Sequence, residues 1–409
     1  MKVDAEAAGL DERRLERITD HLERRYLQPG KIAGCQVLVA RHGTVGFLGS
    51  YGAMDLERDR PVTEDTIWRI YSMTKPITGV ALMTLYERGH FQLDDPVHRF
   101  LPEWREVRVR ERSADGVDRI VEPRRPLTVV DLLTHTSGIG YGGRRPPTQD
   151  TSTDGAAVPL APGRDGSTLA EMASRLASRP LEFHPGEHWL YGLSTDMCAR
   201  LVEVMSGRTF DEYLRDEIFE PLGMDDTGFW VRDEDIDRFA ANYGRARDKT
   251  LRLIDDPDTS AYRTMPTLWS GGGGLVSTIG DYHRFTQMLV NGGELDGRRI
   301  LGRKTVELMA TNHLPFGASM ADLAIPGGYG EVGFDGMGFG LTMAVNLGPA
   351  RTATIGSAGE YMWGGAASTT FWIDPVERLS VIFMTQLMPS GTFDFRRQLK
   401  TLVYPAIVD

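Results

Sequence analysis

The chain has 409 residues, 41% of them hydrophobic and 25% charged, and its net charge is −11. This composition is typical of a folded globular protein and argues against a disordered chain. The negative charge repels polyanions, so we expect no nucleic-acid partner. Cys35 and Cys198 are the only cysteines, and their separation argues against a disulfide framework or a thiolate metal site.

The length predicts two or three domains and a large core. No apolar stretch approaches the roughly 20 residues that a bilayer span needs, so we expect no membrane association. The N-terminus lacks the basic, apolar and small-residue pattern of a signal peptide, and a cytoplasmic protein is therefore expected.

The first part of the chain predicts a helix, a hairpin and a second helix. Apolar residues recur at helical spacing behind Asp11, so residues 11–27 should form an amphipathic helix. Residues 35–41 and 45–49 are strand-like runs around a polar turn, which is typical of an antiparallel hairpin. An apolar run that stops before a glycine predicts a helix over residues 72–88.

The middle of the chain predicts helices joined by long polar segments, and strand-like runs return after residue 270. A loop at residues 142–166 is long enough to be functional or mobile, and we expect it to border the cleft. Strands near both ends with helices between them indicate one sheet built from both ends. The predicted helices here cover residues 129–134, 169–178, 195–206, 210–219, 281–291 and a segment from about 392, and the predicted strands cover 338–346, 367–373 and 379–385.

Ser72 and Lys75 lie three residues apart at the start of the second predicted helix, so both side chains project from one face. A serine hydroxyl needs an adjacent base or cation to act as a nucleophile at neutral pH. Lysine suits this task because burial lowers its pKa readily. Such a spacing occurs by chance in most chains, so the pair taken alone is more simply a helix cap beside a solvated lysine.

Three further segments offer partners for this pair. Tyr191 precedes a helix, and beside a lysine its pKa is expected to fall far enough for a general base, although a buried aromatic is the simpler interpretation. His135 lies where a helix runs into a loop of small polar residues, and we expect it to be structural. Residues 361–367 are expected to open a strand whose exposed N–H could face an oxyanion.

Six motifs occur in order along the chain. They are Ser72-x-x-Lys75, Leu-Leu-Thr-His-Thr-Ser-Gly at 132–138, Tyr191 after Pro185-Gly186, Glu220-Pro221-Leu222-Gly223-Met224, Gly-Gly-Gly-Gly-Leu-Val-Ser-Thr at 271–278, and Trp363-Gly364-Gly365. Together they resemble the serine hydrolases of the class C β-lactamase and penicillin-binding-protein group, and most closely the family VIII carboxylesterases. Each motif is weak, but the ordered set is specific.

The resemblance covers roughly residues 10–400 and implies an α+β fold of the β-lactamase/transpeptidase type. A central antiparallel sheet would be flanked by helices, with a mostly helical region across the cleft. We expect residues 1–92 and 268–409 to form a discontinuous sheet domain and residues 93–267 to form the helical domain. The active site would lie between them.

The resemblance also implies roles for particular residues. Ser72 would be the acylated nucleophile, Lys75 would stabilise its alkoxide and move a proton, and Tyr191 would be the general base and later the acid. The backbone N–H groups of Ser72 and Ala366 would form the oxyanion hole, where each fixed donor is worth about 3 kcal/mol.

Two departures from β-lactamases favour ester substrates. Those enzymes carry an asparagine two positions after the tyrosine, and Leu193 stands here. They also bind the lactam carboxylate with Lys-Thr-Gly, and Trp363 stands at the lysine position. We therefore expect cleavage of carboxylic esters with short acyl chains and at most weak β-lactamase activity. The expected substrate-binding residues are Tyr141, Leu193, Trp363, Gly364 and Gly365.

Other hydrolase types fit less well. The Gly-x-Ser-x-Gly pentapeptide of Ser-His-Asp hydrolases does not occur. His184 and His188 are spaced like a helical zinc pair, but Pro185-Gly186 interrupts the helix that such a pair requires. The glycine run at 271–274 lacks the ending of a phosphate-binding loop and predicts a turn beside the sheet. We expect no metal and no cofactor.

Several alternatives stay open at this point. The enzyme could be a β-lactamase, a D-aminopeptidase or transpeptidase acting on amides, or an acyltransferase that passes the acyl group to an alcohol or amine. A catalytically silent ligand-binding relative is the non-enzyme alternative. The expected partner is a small-molecule ester, and the sequence does not indicate an oligomeric state.

Overall fold

The structure, a computed structural model, describes residues 1–112, 116–141, 166–325 and 328–409. The predicted loop at residues 142–166 lies, apart from Gly166, outside the described residues. The α-helices of the described residues are α1 (Glu12–Leu22), α2 (Thr74–Glu87), α3 (Val129–Leu133), α4 (Leu169–Ala177), α5 (Ser194–Ser206), α6 (Phe210–Leu214), α7 (Glu220–Leu222), α8 (Ile279–Val290), α9 (Arg303–Met309), α10 (Met320–Leu323), α11 (Pro349–Thr352) and α12 (Phe395–Val403).

The strands are mostly short, and those near the two ends of the chain are the longest. Within the described residues they are β1 (Gly34–Arg41), β2 (Thr44–Asp55), β3 (Arg60–Pro61), β4 (Ile67–Arg69), β5 (Val109–Arg112), β6 (Asp118–Val121), β7 (Asn242–Arg245), β8 (Leu251–Asp255), β9 (Val276–Thr278), β10 (Glu294–Leu295), β11 (Arg298–Arg299), β12 (Met337–Phe339), β13 (Ala344–Asn346), β14 (Tyr361–Gly364), β15 (Thr370–Asp374), β16 (Leu379–Thr385) and β17 (Leu387–Met388).

One eight-stranded antiparallel sheet has the order β12-β13-β14-β15-β16-β1-β2-β3. At its centre β1 pairs with β16, and Val37 lies opposite Phe383. Because every residue of β1 is buried, both faces of the sheet must be covered. Helix α8 packs on β1 and β16, whereas α1 packs on β2 and α12. The predicted α+β fold, with a sheet built from both ends of the chain, is confirmed.

The first helix and the first two strands agree closely with the sequence patterns. Helix α1 begins after Asp11, whose side chain accepts a hydrogen bond from the Arg14 N–H at 3.1 Å. A π-helical turn, Glu23–Leu27, continues it to the predicted end. The predicted hairpin is β1 with β2. Strand β2 is longer than its apolar run because residues 50–52 still pair with β1, and Ala53 and Asp55 pair with β3.

Two strand predictions near the C-terminus are wrong in detail. The predicted strand at 338–346 is two antiparallel strands, β12 and β13, because the chain reverses where Thr342 has a φ of +72°. Residues 361–367 do not open the next strand but form β14 and a turn. This turn contains Ser368 at a φ of +68°, so β15 starts only at Thr370. Positive φ at a non-glycine residue is not visible in an apolar pattern.

The middle of the chain contains the predicted helices, here α3 to α6 with the π-helical turn Arg215–Phe219, together with α7 and two hairpins that the sequence patterns did not predict. Strands β5 and β6 form one hairpin, and β7 and β8 form the other. Strand β6 is largely exposed and therefore lacks the apolar alternation that marks a half-buried strand. The division into a sheet domain and a helical domain stays a prediction.

Helix α2 runs through the core and is buried along nearly its whole length. A Cβ on Gly79 would lie 2.2 Å from the Thr342 Oγ1, so glycine lets α2 approach the turn between β12 and β13. The helix ends before Gly89, which has a φ of +76°. No helix in the described part of the chain combines the length and the apolar character needed to cross a membrane.

A buried polar cluster fastens α12 to the sheet. The Lys400 ammonium pairs with the Glu360 carboxylate, and both side chains are almost completely buried. The Tyr404 hydroxyl donates to Glu360 Oε2 at 2.5 Å and lies 2.8 Å from Asp374 Oδ2. Because the Lys400 and Glu360 charges pair with each other in a buried site, loss of one of them leaves the other as an unpaired buried charge.

We expect Lys400→Met to lower the free energy of unfolding by about 3 kcal/mol, because the Glu360 carboxylate is left buried and unpaired. Urea denaturation followed by far-UV circular dichroism measures this change. The matched control is Glu307→Gln, which breaks the exposed pair with Arg303 and should leave the transition midpoint unchanged. A Lys400→Met protein as stable as the wild type would contradict this account of the cluster.

Candidate active site

Ser72 lies in a short 3₁₀ turn, Tyr71–Met73, directly before α2 rather than in its first turn as predicted. Tyr71 has a φ of +42°, a conformation that costs free energy for a residue other than glycine. The Ile70 N–H donates to the Leu275 carbonyl at 3.1 Å, next to the ladder of β4 and β9. This pairing holds the strained turn and brings the chain before β9 to Ser72.

Lys75 is completely buried beside Ser72. Its Nζ lies 3.4 Å from Ser72 Oγ and donates a hydrogen bond to the Gly272 carbonyl at 2.6 Å. Burial lowers the pKa of Lys75 to about 8, while the carboxylates of Asp196 and Glu331 oppose the shift. Near neutral pH this lysine therefore carries its proton most of the time and still offers a fraction as free amine.

Asp196 is a buried carboxylate at the start of α5 that sequence reasoning missed. It accepts hydrogen bonds from the Ser270 hydroxyl at 2.6 Å and from the Gly272 N–H at 3.1 Å. Gly272 thus lies between the carboxylate and the Lys75 ammonium. A Cβ on Gly272 would lie 2.3 Å from Asp196 Oδ2, so this approach requires glycine. Burial raises the pKa of Asp196, and the Lys75 charge counteracts that rise.

Tyr191 comes from the loop before α5 and is hydrogen-bonded to Ser72. The Trp363 Nε1 donates to the Tyr191 hydroxyl at 3.4 Å, and the Lys75 Nζ lies 4.5 Å from the centre of the Tyr191 ring. Burial raises the pKa of Tyr191 well above its ordinary value. The expectation of a lowered pKa is therefore wrong, because desolvation of the phenolate outweighs the nearby ammonium.

His135 is buried next to the tyrosine at a φ of +59°. Its ring packs edge-on against the Tyr191 ring, with the centroids 5.1 Å apart, and its Nε2 lies 3.3 Å from the Thr195 Oγ1. Burial lowers the pKa of His135 well below its ordinary value, and the Lys75 charge adds to this shift. A neutral imidazole that supports Tyr191 agrees with the structural role expected from the sequence.

The end of β14 approaches the turn that carries Ser72. A Cβ on Gly365 would lie 2.4 Å from the Ile70 carbonyl oxygen, so only glycine permits the contact. The Gly365 N–H donates to the Thr369 carbonyl at 2.8 Å as the chain turns away. Among the described residues, no hydrogen-bond acceptor takes the Ala366 N–H. That amide is therefore available to a bound ligand near Ser72.

The other predicted substrate-binding residues surround Tyr191 or the end of β14. Tyr141 is 55% exposed, and its ring lies 5.7 Å from that of Tyr191. Leu193 is partly buried and immediately precedes α5. Trp363 is completely buried. Its indole therefore contacts Tyr191 and is not an exposed surface for a substrate. Gly364 lies at the end of β14 beside Arg396.

His184 and His188, the two histidines with zinc-like spacing, contact residues other than Ser72. The His184 Nε2 lies 3.2 Å from Glu111 Oε1, and its Nδ1 accepts from the Arg124 N–H at 3.3 Å. His188 packs against Phe183, with ring centroids 5.3 Å apart. Over residues 1–112, 116–141, 166–325 and 328–409, no three His, Cys, Asp or Glu side chains gather as metal ligands would.

Comparison with known proteins gives a consistent result. The family model described as Beta-lactamase matches residues 19–404. Esterase EstB of Burkholderia gladioli is 32% identical over 95% of this chain and 95% of the relative. The solved structure of EstCE1, a hydrolase with promiscuous acyltransferase activity, has a TM-score of 0.74 and 26% identity, covering 97% of this chain and 99% of that one. Simvastatin synthase (LovD) of Aspergillus terreus has a TM-score of 0.76 and 27% identity, covering 96% and 98%.

We expect Asp196→Asn to lower the pKa of Lys75 further below about 8, because the variant removes a carboxylate that favours the ammonium while burial is retained. NMR titration of ¹³Cε-labelled lysine measures the midpoint. Tyr191, His135 and Glu331, which also face this lysine, remain in place. Asp94→Asn, which removes an exposed carboxylate, serves as the control and should leave the midpoint where it is. An upward shift in Asp196→Asn would contradict the assigned electrostatics.

Proposed function

Because this chain belongs to the beta-lactamase family and is a serine hydrolase-type enzyme, we propose that it cleaves carboxylic esters, with short acyl chains favoured, through an acyl-enzyme on Ser72. One observation carries the proposal: the side chains of Ser72, Lys75 and Tyr191 meet in a buried cluster beside an available backbone N–H. A nucleophile needs an adjacent proton acceptor, and this cluster offers one.

In the first step Ser72 Oγ attacks the ester carbonyl carbon, and its proton moves to the free-amine form of Lys75. Lys75 is the better acceptor of the two neighbours, because its pKa is lowered to about 8 while that of Tyr191 is raised. The carbonyl oxygen becomes an oxyanion. The N–H groups of Ser72 and Ala366 are the proposed donors to it, and two fixed donors in a water-poor site contribute several kcal/mol.

The tetrahedral intermediate then loses the alcohol. Tyr191 donates its phenolic proton to the leaving oxygen as the carbon–oxygen bond breaks, and the Lys75 ammonium returns a proton to Tyr191. The raised pKa of Tyr191 keeps the phenol protonated for this role. Water repeats the sequence on acyl-Ser72 and releases the carboxylic acid. Each turnover consumes one water, and both side chains return to their starting state.

The preference for esters over β-lactams rests on the residues around the cluster. Leu193 stands where β-lactamases hold the substrate amide, and Trp363 stands where they present a lysine to the lactam carboxylate. The Glu331 carboxylate, whose charge raises the pKa of both Lys75 and Tyr191, further disfavours an anionic substrate.

Acyl transfer is the second candidate function. The similarity to a hydrolase with promiscuous acyltransferase activity and to simvastatin synthase supports it. An alcohol or amine that binds beside acyl-Ser72 would take the place of water, and the same Lys75 and Tyr191 would move its proton. β-Lactam or D-amino-acid amide cleavage receives less support because of Leu193 and Trp363. Silent ligand binding receives less support because Ser72, Lys75 and Tyr191 occur together.

We expect a fluorophosphonate to label the protein once, on Ser72, as read by intact mass and peptide mapping. Ser72→Ala should give no adduct, whereas Ser178→Ala, a change at an exposed serine after α4, should be labelled like the wild type. Tyr191→Phe and Lys75→Met should slow p-nitrophenyl butyrate hydrolysis by about 10²-fold or more. Absence of an adduct on folded wild-type protein would remove the hydrolase proposal.

We expect kcat/KM for p-nitrophenyl butyrate to exceed that for nitrocefin by about ten- to hundredfold, the value of a missing charged hydrogen bond. Leu193→Asn should raise the nitrocefin-to-ester ratio by offering an amide to the lactam side chain, and Leu193→Ala should not. Steady-state assays on the same enzyme preparations give these ratios. A wild-type enzyme that prefers nitrocefin would refute the assignment of Leu193 and Trp363.

A further inference from the structure

A polar pocket of about 380 Å³ opens beside the end of β14. We call it the alcohol pocket and define it by Tyr329, Glu331, Thr369, Ser390, Phe393 and Arg396. Three segments build it: the chain before β12, the turn between β14 and β15, and the start of α12. Gly365, which approaches the Ser72 turn, also lines it, so the pocket adjoins the proposed oxyanion hole.

Tyr329 connects the pocket to Tyr191. Tyr191 is the proposed donor to the leaving oxygen, so the alcohol portion of an ester must extend past this phenol. The Tyr329 ring lies 6.0 Å from the Tyr191 ring, and the Tyr329 hydroxyl is hydrogen-bonded to Ser390 inside the pocket. An alcohol group that passes Tyr191 on the Tyr329 side would enter the alcohol pocket.

Glu331 is the carboxylate of this pocket. Its Oε2 accepts a hydrogen bond from the Ser390 hydroxyl at 2.7 Å, and Tyr329 also donates to it. These bonds orient the carboxylate. Burial raises the pKa of Glu331, and the hydrogen bonds together with the charges of Lys75 and Arg396 oppose that rise. Its charge acts on Lys75 and Tyr191, which places its field inside the catalytic cluster. The ring of Tyr329 beside a carboxylate is a combination that binds ammonium groups, whereas the Phe393 ring already has the Arg245 guanidinium 5.0 Å from its centre.

A second observation points to a ligand at the same place. The Thr369 side chain is only 2% exposed, and within the described residues its Oγ1 has no hydrogen-bond partner. It lies next to Gly365, since a Cβ there would be 2.3 Å from this oxygen. A buried hydroxyl without a partner costs free energy, so a polar ligand group is expected to pair with it.

Arg396 is the one cation among the lining residues, and the protein already uses it. Its Nε donates to Thr370 Oγ1 at 2.7 Å, its Nη2 donates to the Trp363 carbonyl at 3.2 Å, and its Nη1 donates to the Glu331 carbonyl at 3.3 Å. These bonds hold three chain segments together, and they direct the guanidinium hydrogens to protein oxygens. With Glu331 and Asp394 against Arg396, the lining has two carboxylates and one cation and is therefore net negative.

We propose that the alcohol pocket binds a positively charged amino-alcohol group, so that esters of amino alcohols are the preferred substrate class of this enzyme. The inference rests on the proposed ester hydrolysis through Ser72. The ammonium would lie against Glu331 with the ring of Tyr329 beside it, and Thr369 would bond a polar atom of the same group. In acyl transfer, an amino alcohol would occupy the same pocket as the acceptor.

The test compares butyrylcholine with 3,3-dimethylbutyl butyrate, which has the same shape and acyl group but no charge. We expect wild-type kcat/KM to favour the cationic ester by on the order of tenfold, because one carboxylate at close range supplies that much in a partly buried site. Glu331→Gln keeps the hydrogen bonds from Ser390 and Tyr329 and should bring the ratio close to one. The control Glu103→Gln removes an exposed carboxylate outside the pocket and should keep the wild-type ratio.

The outcomes separate this inference from the proposed function. Hydrolysis of the neutral ester with a cation preference that disappears in Glu331→Gln supports the inference. Hydrolysis of the neutral ester without such a preference, or an equal loss on both esters in folded Glu331→Gln, overturns the inference and leaves ester hydrolysis standing. Preference for the anionic 3-sulfopropyl butyrate would also overturn it and would assign the pocket to Arg396. Turnover of none of these esters would count against the proposed function itself.

Discussion

The contact on which the active site depends is the hydrogen bond from the Lys75 ammonium to the Gly272 carbonyl. A completely buried cation is stable only if the protein replaces its lost hydration. Here a carbonyl provides the direct contact, and Asp196 provides the countercharge from the other side of Gly272. The arrangement ties α2, the glycine turn before β9 and α5 to one point. Ser72 is positioned because Ile70 before it and Lys75 after it both bond to the segment that precedes β9.

Burial then divides the chemistry between two groups. It lowers the pKa of Lys75 and raises the pKa of Tyr191, so the two values move toward opposite proton-transfer roles. The lysine becomes able to accept a proton near neutral pH, and the phenol becomes a reliable donor. The aromatic residues around Tyr191, including the neutral His135 and the buried Trp363, produce that dry environment and hold the ring. Desolvation and orientation therefore come from the same side chains.

Much of what could be predicted about the fold and the candidate site came from the ordered motifs. The resemblance indicated the fold, and it singled out Ser72, Lys75, Tyr191 and Trp363, which the structure brings into one cluster although they lie far apart in the chain. Periodic apolar runs located most helices and the central strands. Exposed strands such as β6 gave no periodic signal, and the reversal at Thr342 depends on a backbone conformation that residue type alone does not indicate.

The sequence by itself determined the family and the α+β architecture and singled out Ser72 as the proposed nucleophile, because these depend on local patterns and on motifs whose residue types are chemically irreplaceable. Tertiary structure decided the electrostatics. Asp196 and Glu331 are ordinary acidic residues in the sequence, and their roles arise only because distant segments fold against Lys75 and exclude water. The direction of the Tyr191 shift was decided in the same way. A pKa depends on solvation and on charges in space, and neither can be read from positions along a chain.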